Sequence, residues 1–240
     1  MTRPFETWKV LPHGKLTAIE DNLLTVVGDL HMPLGDFPRR MSVVRLRDGR
    51  LVIYSAIALD EPEMAALERF GRPAFMIVPS DRHRMDAKIW RQRYPDLLVI
   101  TPEGARDKVE EVVRVDATSY DFGDPTVELV AVPGMGEHDA ALVVRSSSGV
   151  SLIVNELIWN VDNKPGFGGW LMKALGLTKD EPQIPSIISL TGIKDKPALQ
   201  QQLQAWSQLY GLKRIIVSHG SIIEHDPAFV LRDLASKLAA

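Results

Sequence analysis

The chain has 240 residues, 45% of them hydrophobic and 25% charged, which excludes a disordered or fibrous protein and predicts a globular protein of one large domain or two small ones. Its net charge of −3 leaves no surplus of basic side chains for a phosphate backbone, so nucleic acid is not expected as a partner. It has no cysteine, which excludes disulfides and thiolate metal sites and is compatible with a reducing compartment.

Short apolar runs rich in β-branched residues dominate the first two-thirds of the chain, and each predicts a strand. They are residues 23–27, 42–46, 51–54, 74–78, 97–100, 127–132, 141–144 and 152–154. An Asp-Gly pair at 48–49 and a Ser-Ser-Gly run at 147–149 join neighbouring runs and predict antiparallel hairpins. A purely parallel sheet is therefore excluded.

Capping residues and helical spacing of apolar side chains predict four helices. They are residues 60–70, 86–94, 196–210 and 226–238, and a further strand is predicted at 214–217. The predicted strands and helices follow one another in a similar order in both halves of the chain. This order predicts two sheets packed face to face, with helices on their outer faces.

Residues 160–186 form an irregular insertion rich in glycine and proline, with one short amphipathic helix around Trp170. Such a segment is either a lid over a site or a surface excursion with its own apolar patch. A homodimer contact through Trp170 and Met172 is a further interpretation.

The sequence also predicts the surroundings in which the chain works. It has no run of about 18 apolar residues, so no membrane span is predicted. The N-terminal residues lack the apolar segment of a signal peptide. We therefore expect a cytoplasmic protein.

Titratable residues directly follow four of the predicted strands. Residues 79–86, which include His83, follow one strand, and the other three strands are followed by His138, Glu156 and His219. Imidazole nitrogens with an anionic oxygen suit Zn, Fe or Mn, so this pattern predicts metal-assisted hydrolysis. Each residue alone is more often an ordinary loop residue, but four such positions with glycines beside the histidines favour a site.

The order of these motifs resembles the metallo-β-lactamase fold superfamily along nearly the whole chain. More narrowly, Tyr54–Leu59 and Asn155–Asn160 are similar to segments of a branch classed as a domain of unknown function. The resemblance implies an α/β (α+β) fold, a four-layer αββα sandwich of two mixed sheets, in a single domain over residues 1–240. It also implies a metal-dependent hydrolase of a small-molecule substrate.

The same resemblance implies that His83, His138, Glu156 and His219 are the metal ligands. Glu156 stands where binuclear enzymes of the superfamily carry a shorter bridging Asp, so at most one ion, Zn, Fe or Mn, is expected. Glu156 then serves as ligand or general base, and Asp86 or Asp81 serves as an outer partner that orients a histidine.

Other residues at the same junction depart from the superfamily pattern. Ser80 and Arg82 stand near positions that carry imidazoles in binuclear enzymes, so the metal motif is incomplete. A guanidinium at Arg82 or Arg84 repels a cation and suits an anion, which makes Ser80, Arg82 and Arg84 the predicted substrate-binding residues.

Two alternatives to a hydrolase follow. In the first alternative, the chain is a catalytically inactive protein that binds a small anion or a protein partner without metal. Alternatively, the histidines only satisfy buried backbone groups, and the function lies on a surface such as residues 167–175.

Overall fold

Ten strands and seven α-helices lie within the residues that the computed structural model describes, which are 3–32, 35–163, 166–174, 176 and 178–239. The strands are β1 (Thr17–Glu20), β2 (Leu23–Met32), β3 (Gly35–Arg45), β4 (Arg50–Tyr54), β5 (Arg72–Ile77), β6 (Leu98–Ile100), β7 (Val127–Ala131), β8 (Ala140–Ser146), β9 (Gly149–Val154) and β10 (Leu212–Val217). The helices are α1 (Glu61–Phe70), α2 (Ala87–Arg93), α3 (Arg106–Glu110), α4 (Gly166–Ala174), α5 (Ser186–Thr191), α6 (Lys196–Ser207) and α7 (Pro227–Ala239).

The strands form two mixed sheets. The first has the order β1-β2-β3-β4-β5-β6, antiparallel from β1 to β4 and parallel from β4 to β6. The second has the order β10-β9-β8-β7, in which β9 and β10 are parallel and the other pairs are antiparallel. The predicted hairpins at Gly49 and Gly149 are both present, which confirms two mixed sheets.

Apolar side chains fill three layers between and outside the sheets. One cluster packs α1 and α2 against the first sheet, with Leu67 and Trp90 fully buried. A second lies between the two sheets and includes Phe75 and Ile153. The third packs the second sheet against α6 and α7 through residues such as Leu203 and Leu231. The layers therefore stack as helix, sheet, sheet and helix, and the predicted αββα sandwich is confirmed.

The helix boundaries follow from local capping chemistry. The Asp60 carboxylate accepts the Glu63 N–H at 3.0 Å and begins α1, and Gly71 ends it. The Asp195 carboxylate accepts the Ala198 N–H at 3.0 Å and begins α6 in the same way. Both helices also carry a proline in the first turn, where its missing N–H costs no hydrogen bond.

Three elements were not predicted, and one strand begins earlier than predicted. The unpredicted elements, β1, α3 and α5, each have six residues or fewer, too short for a clear periodic pattern. Strand β3 begins at Gly35 rather than at residue 42. Its first half contains Pro38, Arg39 and Arg40, which do not resemble a buried strand. The two arginines are nevertheless buried, because their guanidiniums bind partners from other parts of the fold.

The insertion at 160–186 is closed at its base by backbone hydrogen bonds between Trp159 and Gln183. It contains the predicted short helix, α4, on which the Trp170 side chain is exposed. Residues 164, 165, 175 and 177 lie outside the described residues, so the predicted patch at 167–175 is described only in part. Its role as a lid or a dimer contact stays a prediction. Within the described chain, none of the helices is long and apolar enough to cross a bilayer.

A buried hydrogen bond links the two sheets next to the strand ends that carry the candidate site. The Tyr54 hydroxyl, at the end of β4, donates to the Ala140 carbonyl of β8 at 2.7 Å. Replacing Tyr54 by Phe removes this donor and leaves the carbonyl poorly satisfied in the core. We expect Tyr54→Phe to lower the free energy of unfolding by about 1–2 kcal/mol, measured by urea denaturation. An unchanged urea midpoint would contradict this assignment.

Candidate metal centre

Parallel strand pairing brings the predicted ligands to one edge of the sandwich. In the second sheet Val154 of β9 pairs with Val217 of β10, and Glu156 and His219 each follow two residues later. In the first sheet the parallel strand β5 ends at Ile77, and the loop from there to α2 contains His83. The two sheets pack face to face, so the ends of β5, β9 and β10 meet at the same edge.

His83, Glu156 and His219 form a compact, buried group, which we call the triad. His83 Nε2 lies 3.2 Å from Glu156 Oε1 and 3.2 Å from His219 Nε2. The third separation, His219 Nε2 to Glu156 Oε1, is 3.9 Å. The three side chains are only 7–9% exposed. Among the described residues this is the group of His, Asp and Glu side chains with the geometry to hold a metal ion.

Hydrogen bonds on the far side of each imidazole fix its orientation. His219 Nδ1 lies 2.8 Å from the Pro38 carbonyl, which can only accept, so this nitrogen carries the proton. His83 Nδ1 lies 2.7 Å from the Ser55 hydroxyl, which can donate or accept. The Nε2 of His219 therefore has a lone pair available to a cation, the arrangement that outer hydrogen bonds give to metal-binding histidines, and the Nε2 of His83 has one when its Nδ1 donates to Ser55.

The electrostatics of the triad follow from its burial. Burial alone would raise the pKa of Glu156, but the neighbouring His219 and His83 imidazoles outweigh it and hold this pKa well below its usual range. Burial lowers the pKa of His83 despite the nearby Glu156. The triad thus combines an ionised carboxylate with a neutral imidazole at His83, the protonation states that metal ligands require.

The triad lies in a cleft of about 790 Å³. Its walls include Leu30, Phe37 and Trp159, and the rings of Phe37 and Trp159 pack on His219 with centroids 4.9 and 4.8 Å from the imidazole. Asp81 and Arg82 also line the cleft. The cleft is therefore largely apolar, with charged groups close to the triad, as expected of a small-molecule site.

The structure does not bring His138 into the triad. His138 is exposed, follows a turn in which Gly136 and Glu137 both have positive φ, and is not among the residues that line the cleft. The next residue, Asp139, is buried instead and accepts the N–H groups of Ala140 and Leu157, both at 3.1 Å. Burial, together with the charge of Glu156, raises the pKa of Asp139 well above its usual value. Asp139 thus supports the backbone that carries Glu156.

The predicted acid Asp86 is buried at the start of α2, and both of its oxygens have partners outside the triad. One oxygen pairs with Arg39 Nη1, and the other accepts the Ala58 N–H at 3.0 Å. Burial raises the pKa of Asp86, against the opposing charge of Arg39. Its contacts therefore join the β5–α2 loop to the loop after β4.

The three predicted substrate-binding residues have different surroundings. Ser80 is buried and accepts a hydrogen bond from Asn155 Nδ2 at 3.1 Å. Arg84 lines the cleft but also donates to the Lys108 carbonyl and the Glu111 carboxylate. Arg82 lines the cleft with its side chain 43% exposed and its guanidinium 4.0 Å from Glu156 Oε2. Of the three, Arg82 has the geometry to contact a ligand beside the triad.

The sequence did not predict the residues that contact the imidazole rings of the triad or their Nδ1 atoms. They include Phe37, Pro38 and Ser55. Of these, only Ser55 lies in one of the segments that carry the resemblance, Tyr54–Leu59. Ser55 also has a φ of 56°, a strained value for a non-glycine residue that often marks a functional site.

Solved metallo-β-lactamases have a similar fold. The FIM-1 enzyme from Pseudomonas aeruginosa, in its mono-zinc form, has a TM-score of 0.62 and 14% identity, with 95% of this chain and 97% of that chain covered. The Hirschia baltica enzyme has a TM-score of 0.60 and 9% identity, covering 93% of this chain and 98% of its own. The DIM-1 enzyme, exposed to ceftazidime, has a TM-score of 0.63 and 12% identity, with 97% of this chain and 100% of that chain covered.

At such low identities, the likeness establishes the fold and leaves the activity open. The chain has the metallo-β-lactamase fold, as its motif order predicted. No protein-family model matches the sequence, and no curated protein matches it.

Proposed function

We propose that this protein is a metal-dependent hydrolase with one metal ion held by His83, Glu156 and His219. The observation that carries the proposal is the convergence of two imidazole Nε2 atoms and one carboxylate oxygen within 3.9 Å of one another. Bonds of about 2.0–2.1 Å to a tetrahedral zinc separate its ligand atoms by about 3.3 Å. The two 3.2 Å separations fit this value, and the third is wider.

The chemistry of the donor atoms supports the same proposal. The Nδ1 proton of His219 is held by Pro38, so an imidazole lone pair and a carboxylate oxygen face one another in a buried site. Such atoms repel unless a proton or a cation lies between them. The second oxygen of Glu156, Oε2, is buried and has no hydrogen-bond partner in the described structure. Zn, Fe or Mn suits this set of nitrogen and oxygen ligands.

We propose one ion rather than two. Ser80 and Arg82 stand where a second site would need imidazoles, and His138 lies apart from the triad. A bound ion would supply Lewis-acid polarisation of a carbonyl or phosphoryl oxygen and a water of lowered pKa. The protein itself would bind the apolar part of a small substrate against Phe37 and Trp159, and Arg82 would hold an anionic group.

The first test is elemental analysis of protein purified without an affinity tag or chelator. About one equivalent of Zn, Fe or Mn is expected. At a free-metal concentration of 100 times Kd, the ion would stabilise the fold by about 2.7 kcal/mol. EDTA should therefore lower Tm by about 5–11 °C. Bound metal would justify assays with esters, thioesters, lactams and phosphodiesters, whereas absence of metal after incubation with each ion would refute the proposal.

A second candidate function is anion binding without metal, and the position of Arg82 favours it. Its side chain is 43% exposed, and its guanidinium is too far from Glu156, at 4.0 Å, for a hydrogen bond. A carboxylate or phosphate ligand would bind it directly. Under this hypothesis phosphate raises Tm of EDTA-treated protein, and Arg82→Ala abolishes that rise.

A further inference from the structure

Arg40 reaches from the first sheet to the turn that carries His219. This residue of β3 is buried, and its Nε donates to the Val217 carbonyl at 3.1 Å. Its Nη2 donates to the Gly220 carbonyl at 2.7 Å, and Nη1 lies 3.3 Å from the Thr25 hydroxyl. The two carbonyls bound by Arg40 stand on either side of Ser218 and His219. The guanidinium therefore spans the backbone of the turn that holds one member of the triad.

The burial of Arg40 calls for a physical explanation. Within the described structure its partners are two carbonyls and a hydroxyl, and no carboxylate forms an ion pair with it. Burial lowers the pKa of Arg40 to about 10, so the guanidinium stays charged at neutral pH. A buried charge without an opposite charge is costly, and an apolar side chain of similar volume often stabilises a core at least as well. An apolar side chain lacks the planar guanidinium, however, whose N–H donors can hold two acceptors in place at once.

Further contacts from the same stretch of β3 restrain His219. The Pro38 carbonyl binds its Nδ1, and the Phe37 ring packs on its imidazole. On the opposite side the His219 carbonyl accepts the Asn160 N–H at 3.0 Å. Residues 37–40 thus fix the ring, the protonated nitrogen and the backbone of His219 from the first sheet, although His219 itself follows a strand of the second sheet.

We propose that Arg40 is a positioning residue that holds the turn of His219 so that Nε2 points at the other triad atoms. The inference rests on the proposed metal centre, since it concerns the affinity of that centre. Supporting residues behind metal ligands typically change metal affinity by 10- to 100-fold. Arg40 acts through the backbone and contacts no ligand atom itself.

The test compares wild type with Arg40→Met and Arg40→Lys. Cobalt(II) is titrated into metal-free protein, and its visible absorption reports the coordination geometry. We expect Arg40→Met to weaken Co(II) binding by about 10- to 100-fold and to change the spectrum. Arg40→Lys keeps the charge but lacks the planar guanidinium. Its Co(II) affinity should therefore lie between those of Arg40→Met and wild type.

A second measurement needs no metal. Long-range proton–nitrogen NMR of the imidazoles in metal-free protein reports which ring nitrogen of His219 carries the proton. Wild type should show the Nδ1-protonated form alone, because Pro38 holds it. In Arg40→Met we expect a mixture of forms, because the turn no longer presents the ring to that carbonyl.

Arg214→Met is the matched control. Arg214 is also a buried arginine, on β10, but it pairs with Glu20 and Glu224 away from the triad. The Arg214→Met variant should have a lower free energy of unfolding, with the Co(II) spectrum and the imidazole NMR signals unchanged.

The outcomes separate the two proposals. Wild type that binds no Co(II) refutes the metal centre, while the NMR comparison still decides the role of Arg40. A folded Arg40→Met with wild-type affinity and wild-type imidazole signals overturns the inference. Should Arg40→Met fail to fold, Arg40→Lys decides instead, and unchanged affinity and signals in that variant overturn it.

Discussion

Replacing Glu156 by Gln is expected to weaken binding of a divalent metal by more than about 100-fold, because loss of a direct ligand should exceed the effect of losing a supporting residue. Glu156 supplies the negative charge of the triad and is nearly completely buried. Gln has the same shape, and its amide can donate to a neutral imidazole, so the metal-free protein should keep its stability. Competition of Zn with a chromophoric chelator measures the affinity, and urea denaturation measures the stability.

His138→Ala is the control for this prediction. The sequence places His138 among the candidate ligands, but the structure leaves it exposed and outside the triad. We therefore expect His138→Ala to bind metal as tightly as wild type. Equal losses in Glu156→Gln and His138→Ala would show that the site forms with a different ligand set.

The position of the triad could be predicted from the sequence because it depends on a simple rule. Parallel strands end at a common edge, so the residues after β5, β9 and β10 must come close. The same rule includes His138, which follows β7. The rule identifies the edge but not which side chains enter the cleft, and His138, which follows a turn with positive φ at Gly136 and Glu137, is exposed.

The supporting contacts of the triad could not be predicted in this way. Arg40 binds carbonyls that are 177 and 180 residues away in the chain, and Pro38 binds His219 at a separation of 181. No local pattern records such a pairing. A polar run with a proline instead resembles a loop, so the predicted strand began only after it. For the same reason the sequence did not predict that Phe37 lines the cleft and packs on His219.

Replacing Gly220 by Ala is expected to destabilise the fold strongly, with a loss of about 4 kcal/mol or more in unfolding free energy. The Gly220 backbone has a φ of 103°, which is strained for any residue with a side chain. A Cβ atom there would also lie 1.9 Å from the Asn160 carbonyl oxygen, an overlap that only backbone movement can relieve. Such movement would break the contacts that this turn makes with Arg40 and Asn160.

Gly123→Ala separates the two causes of this loss. Gly123 also has a positive φ, 68°, but a Cβ atom there meets nothing within 4 Å. It should cost only the backbone strain, about 1–2 kcal/mol, and leave metal affinity unchanged. Urea denaturation and metal titration of both variants measure the difference. Similar losses in the two variants would mean that the turn can move away from Asn160 at little cost. A larger loss in Gly220→Ala, with weaker metal binding, would mean that this close approach holds His219 beside Glu156.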